Sequence, residues 1–435
     1  MKQPKPIGHF ALVDVPTVRH VAMKTDADTA AVYLTQALWT DATGRRSSMG
    51  REGCRKRLGL RWSTVDRSTR LLEEMGLQTC RDKSSRIVNV DLKFVETRPM
   101  RDGYHAGLER ARAGVEPATD RERKVHEQLM ADGWIDADGQ VIETRPIQPA
   151  YMPLSLLGDV FGQPTGQPCI IERIRKARDP MAFLLLAQAY AAQNLPDLGG
   201  TDRRFVWMQG RGEKDIHRTA DLRVLQAWDL SPWTQHCDVT RDHRRNSSQE
   251  DAQAYFDRVK ILQDAGAIEI VIAAMEDDSP TAQMIYPLGV LRHGKLVESE
   301  PEHAVGMLAI GATVAMRGDL DRLDAWLDHA PKSFFAPVDG MYRKAVIRGI
   351  PRLVARPRTE ATQRWQAERM ELCREWIDAF TGIIAEHAPE LLSEAGRLQG
   401  YTKVAPRIHQ GDTNDLLWSA LHNGAAGAAR DDEAA

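Results

Sequence analysis

The feature that most constrains the fold is an amphipathic helix between two glycines, within residues 48–91. Its apolar side recurs at helical intervals and consists of Val65, Thr69, Leu72 and Met75. Gly59 and Gly76 flank this helix, and glycine often follows a helix because it adopts the left-handed conformation without a steric penalty. We expect Ser63 to cap this helix and Ser48 to cap a shorter one over residues 51–58. The sequence therefore predicts two helices joined by a tight turn at residues 58–61.

Another helix is predicted before this pair and a hairpin after it. Asp28 and Thr29 are expected to cap the earlier helix, whose apolar side is formed by Ala31, Val32, Leu34, Leu38 and Trp39. Residues 78–82 and 86–92 flank the polar turn 83–85 and predict two paired strands. Residues 9–15 alternate apolar and polar side chains, which predicts a strand near the N-terminus.

Basic charge is concentrated in the same part of the chain. The whole sequence carries a formal net charge of −3, whereas residues 45–93 contain thirteen Lys/Arg and six Asp/Glu, a local balance of +7. A basic region in a nearly neutral chain is typical of a module that contacts phosphate. The alternative interpretation is an ordinary solvated face.

Residues 28–92 resemble the winged helix-turn-helix domains of bacterial and phage regulators and of plasmid replication initiators. The resemblance is strongest in residues 63–67 (Ser-Thr-Val-Asp-Arg) and 72–77 (Leu-Glu-Glu-Met-Gly-Leu), and it covers roughly one seventh of the chain. In such families the helix matching residues 63–75 reads bases and the hairpin matching residues 78–92 contacts the DNA backbone. Some winged helices serve instead as protein-interaction domains.

The resemblance and the helical spacing together give a set of candidate DNA contacts. Arg67 and Arg70 fall outside the apolar side of the helix, where an arginine can form paired hydrogen bonds to guanine or contact phosphate. Lys83 and Arg86 belong to the predicted hairpin and are expected to contact the backbone or the minor groove. The full predicted set is Arg51, Arg55, Trp62, Ser63, Thr64, Arg67, Arg70, Lys83 and Arg86.

A weak internal repeat suggests a second domain of the same type. A predicted helix over residues 249–265 is followed by Gly266 and by two predicted strands, residues 268–275 and 283–291. The turn between those strands is acidic (Glu276, Asp277 and Asp278) and would be repelled by phosphate. We interpret this copy as a dimerisation or scaffolding domain.

The predicted fold class is α+β, mostly helical with small β-hairpins. It comprises two winged-helix-like domains and a C-terminal helical region. The expected divisions are a DNA-binding domain (1–96), a linker with a small α/β segment (97–169), the second winged-helix-like domain (170–300), a helical domain (301–421) and a disordered tail (422–435). Within the second domain, residues 194–247 are expected to be irregular.

Other motifs give little support for catalysis or metal binding. His236, Cys237 and His243 match no common zinc spacing, and the sequence contains no phosphate-binding P-loop motif. Arg241, Arg244 and Arg245 are candidate additional phosphate contacts, and Asp319 with Asp321 is a weak candidate for metal-dependent chemistry. We expect no metal, no cofactor and no enzymatic activity. Five scattered cysteines and the lack of a signal peptide or spanning segment favour a cytoplasmic protein.

The sequence therefore predicts a sequence-specific protein that binds double-stranded DNA. The favoured hypothesis is a replication initiator of a plasmid or mobile element, which binds repeated sites and recruits host replication proteins without catalysis. The alternatives are a transcriptional regulator with a C-terminal sensing or oligomerisation region, and a DNA-directed enzyme with an unrecognised active site in residues 150–396. The other expected partners are a second copy of the chain, in a homodimer, and host replication or transcription proteins. No association with a membrane is expected.

Overall fold

The computed structural model describes most of the chain in two units. The described residues are 10–40, 44–80, 90–95, 103–132, 134–141, 147–158, 168–194, 200–201, 207–233, 248–279, 281–318, 333–356 and 360–393. The chain divides into residues 1–191 and residues 192–435. Both units mix helices and antiparallel strands, so the α+β class is confirmed.

Unit 1 is mainly helical. Its helices are α1 (Val15–Lys24), α2 (Ala27–Leu38), α3 (Arg51–Leu58), α4 (Trp62–Glu74), α5 (Tyr104–Arg112), α6 (Asp120–Ala131), α7 (Ile170–Lys176) and α8 (Met181–Ala191). Its strands are β1 (Phe10–Asp14), β2 (Arg46–Ser47), β3 (Gln78–Cys80), β4 (Val90–Leu92) and β5 (Pro149–Pro153), and a short 3-10 helix covers Leu154–Leu157. The predicted N-terminal strand is confirmed as β1, which pairs with β5.

Helix α2 is the centre of unit 1. It packs against α1, α3, α4, α7, α8 and β1, and eleven of its twelve residues are buried. A helix can be enclosed in this way only if it is apolar or small on nearly all sides. Its first-turn side chain, Asp28, is the residue that stays partly exposed.

The region from α2 to β4 has the order α2-β2-α3-α4-β3-β4. Strands β3 and β4 pair antiparallel as predicted, and β2 joins them as a third strand beside β4. Gly59 and Gly76 have φ values of +59° and +70°, which confirms the left-handed conformation expected after α3 and α4. Helices α2, α3 and α4 therefore pack on one another, and the three strands between and after them form one small sheet.

The predicted N-terminal caps of these three helices are wrong. Asp26, not Asp28, caps α2, because its side chain accepts a hydrogen bond from the backbone N–H of Thr29 at 2.8 Å. Helix α3 begins after Gly50 and α4 begins after Arg61, and neither has a side-chain cap. Residue preference at a cap is a weak signal when several Ser, Thr and Asp residues stand within one turn.

Residues 97–169, predicted to be a linker with a small α/β segment, contribute ordered elements to unit 1. Helices α5 and α6 pack together around Tyr104, Leu108, Leu129 and Ile135. Strand β5 pairs with β1, so residues 149–153 are joined to the first strand of this unit.

In the part of unit 2 that the structure describes, nine antiparallel strands form one sheet. Its strands are β6 (Gln193–Asn194), β7 (Gly200–Thr201), β8 (Trp207–Arg218), β9 (Leu222–Trp233), β10 (Ile268–Met275), β11 (Met284–Arg292), β12 (Lys295–Leu296), β13 (Ser333–Asp339) and β14 (Val346–Leu353). Its helices are α9 (Ser248–Asp264), α10 (Pro301–Arg317), α11 (Glu360–His387) and α12 (Glu390–Ser393). The main strand order is β12-β11-β10-β14-β8-β9-β13, with β7 also beside β14 and β6 beside β7.

The sheet of unit 2 is strongly curved. The hydroxyl of Tyr286 in β11 donates a hydrogen bond to the carbonyl of Pro337 in β13 at 3.0 Å, although four strands separate β11 from β13 in the sheet order. Helix α10 packs on both of these strands and against α11. The main core of unit 2 therefore lies between the curved sheet and these two helices.

The architecture of unit 2 corrects the predicted scheme. The local order helix, Gly266, strand, strand exists as α9, β10 and β11, but β10 also pairs with β14 along its whole length. These strands are therefore parts of a larger sheet and do not form a separate hairpin domain over residues 170–300. Residues 194–247 are not wholly irregular, since they contain β8 and β9, and the predicted helical region 301–421 contains β13 and β14. Such pairings join residues far apart in sequence, which local periodicity does not report.

Candidate nucleic-acid interface

Helix α4 has one buried side and one exposed side. Val65, Thr69 and Leu72 are buried as predicted, and Ser68 joins them. The hydroxyl of Thr29 in α2 donates to the hydroxyl of Ser68 at 3.1 Å, which satisfies this polar pair between α2 and α4. Met75 is only partly buried, because it follows the last residue of the helix.

The exposed side of α4 carries two arginines and a serine. Ser63, Arg67, Arg70 and Glu74 are exposed and recur at helical intervals opposite the buried side. Thr64, another predicted contact, is partly buried. The resulting stripe is polar and basic over its first two turns and acidic at Glu74.

Arg51 and Arg55 of α3 take part in ion pairs. Arg51 Nη1 lies 3.1 Å from Asp66 Oδ1, which ties α3 to α4. Arg55 Nη2 lies 3.1 Å from Glu52 Oε1, and this hydrogen bond is the main reason that the pKa of Glu52 is lowered. The side chains of Arg51 and Arg55 are 37% and 34% exposed, so both remain accessible to a binding partner.

Trp62 is an exposed aromatic residue at the start of α4. Its exposed fraction is 49%, which is high for a tryptophan. The guanidinium of Arg55 lies 5.3 Å from the centre of its ring, within the range of a cation–π contact. This contact orients an apolar surface and a positive charge side by side at the N-terminal end of α4.

Arg67 is held by acidic residues at the start of α2. Its Nη2 donates to Asp26 Oδ2 at 2.6 Å and lies 3.8 Å from Asp28 Oδ2. Asp28 also pairs with Arg175 of α7 at 2.9 Å. Local sequence signals do not predict these contacts: Asp28 is expected only to cap α2, and no role is predicted for Asp26.

Arg70 differs from Arg67 in its surroundings. Its side chain is exposed, and no ion pair to Arg70 is present among the residues that the structure describes. One helical turn along α4, Arg67 has two acidic neighbours. The two predicted base-reading arginines are therefore not equivalent.

Several other predicted residues lie outside the described residues. These are Lys83, Arg86, His236, Cys237, Arg241, His243, Arg244, Arg245, Asp319 and Asp321. The acidic turn after β10 is described in part: Asp278 Oδ1 accepts from Arg348 Nε at 2.8 Å, and Asp277 Oδ1 accepts from the backbone N–H of Ser279 at 2.8 Å.

Within the described ranges, no group of three or more His, Cys, Asp or Glu side chains is arranged to hold a metal ion. No described helix is both long and apolar enough to span a bilayer. Cys54, Cys169 and Cys373 are free thiols, and burial raises the pKa of Cys54 to about 12.

No family model, no curated protein and no solved structure matches the chain.

Proposed function

We propose that residues 28–92 form a winged-helix domain that binds double-stranded DNA sequence-specifically, with α4 as the helix that enters the major groove. The observation that carries the proposal is the exposed stripe of Ser63, Arg67 and Arg70 on α4. The other side of this helix packs against α2 and α3 within the order α2-β2-α3-α4-β3-β4. An α-helix with its side chains is about 10–12 Å in diameter, which fits a major groove about 12 Å wide.

Each residue group has a distinct role in this proposal. Arg70 is free to form paired hydrogen bonds to a guanine edge, and Ser63 stands beside the helix N-terminus, where backbone N–H groups and the helix dipole favour phosphate. Arg55 and Trp62 present a positive charge and an apolar ring to the sugar–phosphate backbone. Lys83 and Arg86, from the predicted hairpin, are proposed as further backbone contacts.

The more specific proposal is replication initiation, in which the protein binds repeated sites and recruits host replication proteins. Its support is the resemblance of residues 28–92 to initiator domains. The acidic turn after β10 would be repelled by phosphate, and its Asp278 forms an ion pair with Arg348. In this proposal unit 2 therefore has a structural role and does not contact DNA at that turn.

Genome-wide mapping of the DNA bound by the full chain tests both sequence-specific binding and the more specific proposal of replication initiation. Iterated repeats of about 20 base pairs, or two helical turns, beside the gene of the protein support initiation, whereas single operators at promoters support a regulator. Binding spread evenly over the genome would contradict sequence-specific recognition. Titration of the purified chain with the mapped duplex and with a scrambled duplex of equal length gives the specificity ratio directly.

A further inference from the structure

The side chain of Asp26 performs two tasks at once. Its Oδ1 accepts the hydrogen bond from the backbone N–H of Thr29 at 2.8 Å and so caps α2. Its Oδ2 accepts from Arg67 Nη2 at 2.6 Å. The first contact stabilises a helix end, whereas the second reaches from α2 to the exposed side of α4.

The Asp26–Arg67 pair lies at the surface. The two side chains are 50% and 59% exposed, so a phosphate group can approach the guanidinium. Asp28 adds a second negative charge 3.8 Å from Arg67, while Arg175 neutralises part of it. Exposed ion pairs of this kind are weak and are screened by salt, so DNA can displace them.

We propose that Asp26 increases the DNA specificity of the protein by pairing with Arg67 and so limiting its contact with phosphate on non-specific DNA. This inference rests on the proposed function. The interaction of Arg67 with a phosphate is only slightly more favourable than its existing interaction with the Asp26 carboxylate. The paired Arg67 therefore adds little to the affinity for DNA of arbitrary sequence. A guanine at the matching position accepts two hydrogen bonds from the guanidinium and favours its release. Asp26 is thus a positioning residue that acts through Arg67.

Asp26→Asn separates the two tasks, because an asparagine oxygen still caps α2 about as well as aspartate does. We expect this variant of the full chain to bind a 30-base-pair duplex of random sequence about three- to tenfold more tightly at about 0.1 M salt. Release of one arginine adds about one phosphate contact, so the slope of log affinity against log salt steepens by about 0.9. The melting temperature should stay unchanged, which a purely structural role for the charge would not predict.

A double-mutant cycle isolates the role of Arg67. In an Arg67→Gln background, Asp26→Asn should leave both the affinity and the salt slope unchanged. An equal gain in that background would overturn the inference, because Asp26 would then act by repelling phosphate directly. Duplex binding by the wild type, with no change in Asp26→Asn, would overturn the inference alone. Failure of the wild type and all variants to bind any duplex would overturn the proposed function as well.

Discussion

The carboxylate of Glu302, at the start of α10, accepts a hydrogen bond from Arg352 Nη1 of β14 at 2.6 Å, and their side chains are 0% and 2% exposed. Glu302 also accepts from Arg369 Nε of α11 at 2.6 Å. Arg352 in turn donates to Glu269 of β10 at 2.6 Å, and Glu300 and Arg292 complete a group of three acids and three arginines. The charges balance, so this buried group joins the sheet to two helices without a net charge.

Loss of the charge on Glu302 should destabilise unit 2. Glu302→Gln leaves Arg352 and Arg369 with less negative charge in a buried site, and removal of one partner from such a pair costs about 3–5 kcal/mol. We expect a decrease of about 3 kcal/mol in the free energy of unfolding, measured by denaturant titration with hydrogen exchange of α10 and β14. Glu371→Gln is the matched control, because Glu371 pairs with Arg374 at the surface and its loss should change stability by less than about 1 kcal/mol. Small and equal decreases in the free energy of unfolding of the two variants would contradict this account.

The same group should govern stability in acid. Burial by itself raises the pKa of Glu302, but the charges of Arg352 and Arg369 outweigh burial and lower that pKa from 4.5 to about 2. The stabilisation is therefore fully present above the unfolded-state pKa and is lost as the pH falls from about 4.5 towards about 2. We expect the unfolding free energy of unit 2 to decline across this window, and Glu302→Gln to show a shallower decline. An unchanged acid profile in the variant would show that other carboxylates carry the effect.

Gly306 allows α10 to approach β11 closely. A Cβ atom at Gly306 would lie 1.7 Å from the carbonyl oxygen of Leu288, a backbone atom that has no side-chain rotation available to relieve the clash. Gly306→Ala should therefore separate α10 from β11 and lower the unfolding free energy by about 3 kcal/mol, at the upper end of typical overpacking effects. Gly382→Ala in α11 is the control, since nothing lies within 4 Å of its Cβ position and alanine favours a helix by up to about 1 kcal/mol. Thermal unfolding of both variants should show opposite shifts, and parallel shifts would contradict the packing argument.

Local sequence signals predicted local structure well in the first part of unit 1. The intervals of Val65, Thr69 and Leu72 gave the buried side of α4, and Gly59 and Gly76 marked where helices end. These signals succeed because a helical period and a left-handed glycine depend on residues close together in the chain.

Long-range relationships could not be predicted in the same way. Ile268 pairs with Leu353 across more than eighty residues, and nothing in either strand identifies the other. The ion pair of Arg67 with Asp26 illustrates the same limit within the candidate site, because it spans two helices and depends on how α2 and α4 pack. Charge composition located the basic region, but only the structure shows that Arg67 has an acidic partner whereas Arg70 has none among the described residues.

Arg70 should contribute more to base recognition than Arg67. Arg70 is exposed and has no acidic partner among the described residues, whereas Arg67 must first give up Asp26. Arg70→Ala should weaken binding to a cognate duplex by about 1–3 kcal/mol, the usual value of a paired arginine–guanine contact, and should relax the preference at one base position. Arg67→Ala should lose less, because its contact with DNA replaces an existing ion pair. Titrations with the mapped site and with single-base variants measure both effects. Lys83→Ala is the comparison for a backbone contact and should weaken binding to all sequences alike while reducing the salt slope by about one. Cognate affinity unchanged in Arg70→Ala would rule out α4 as the recognition helix.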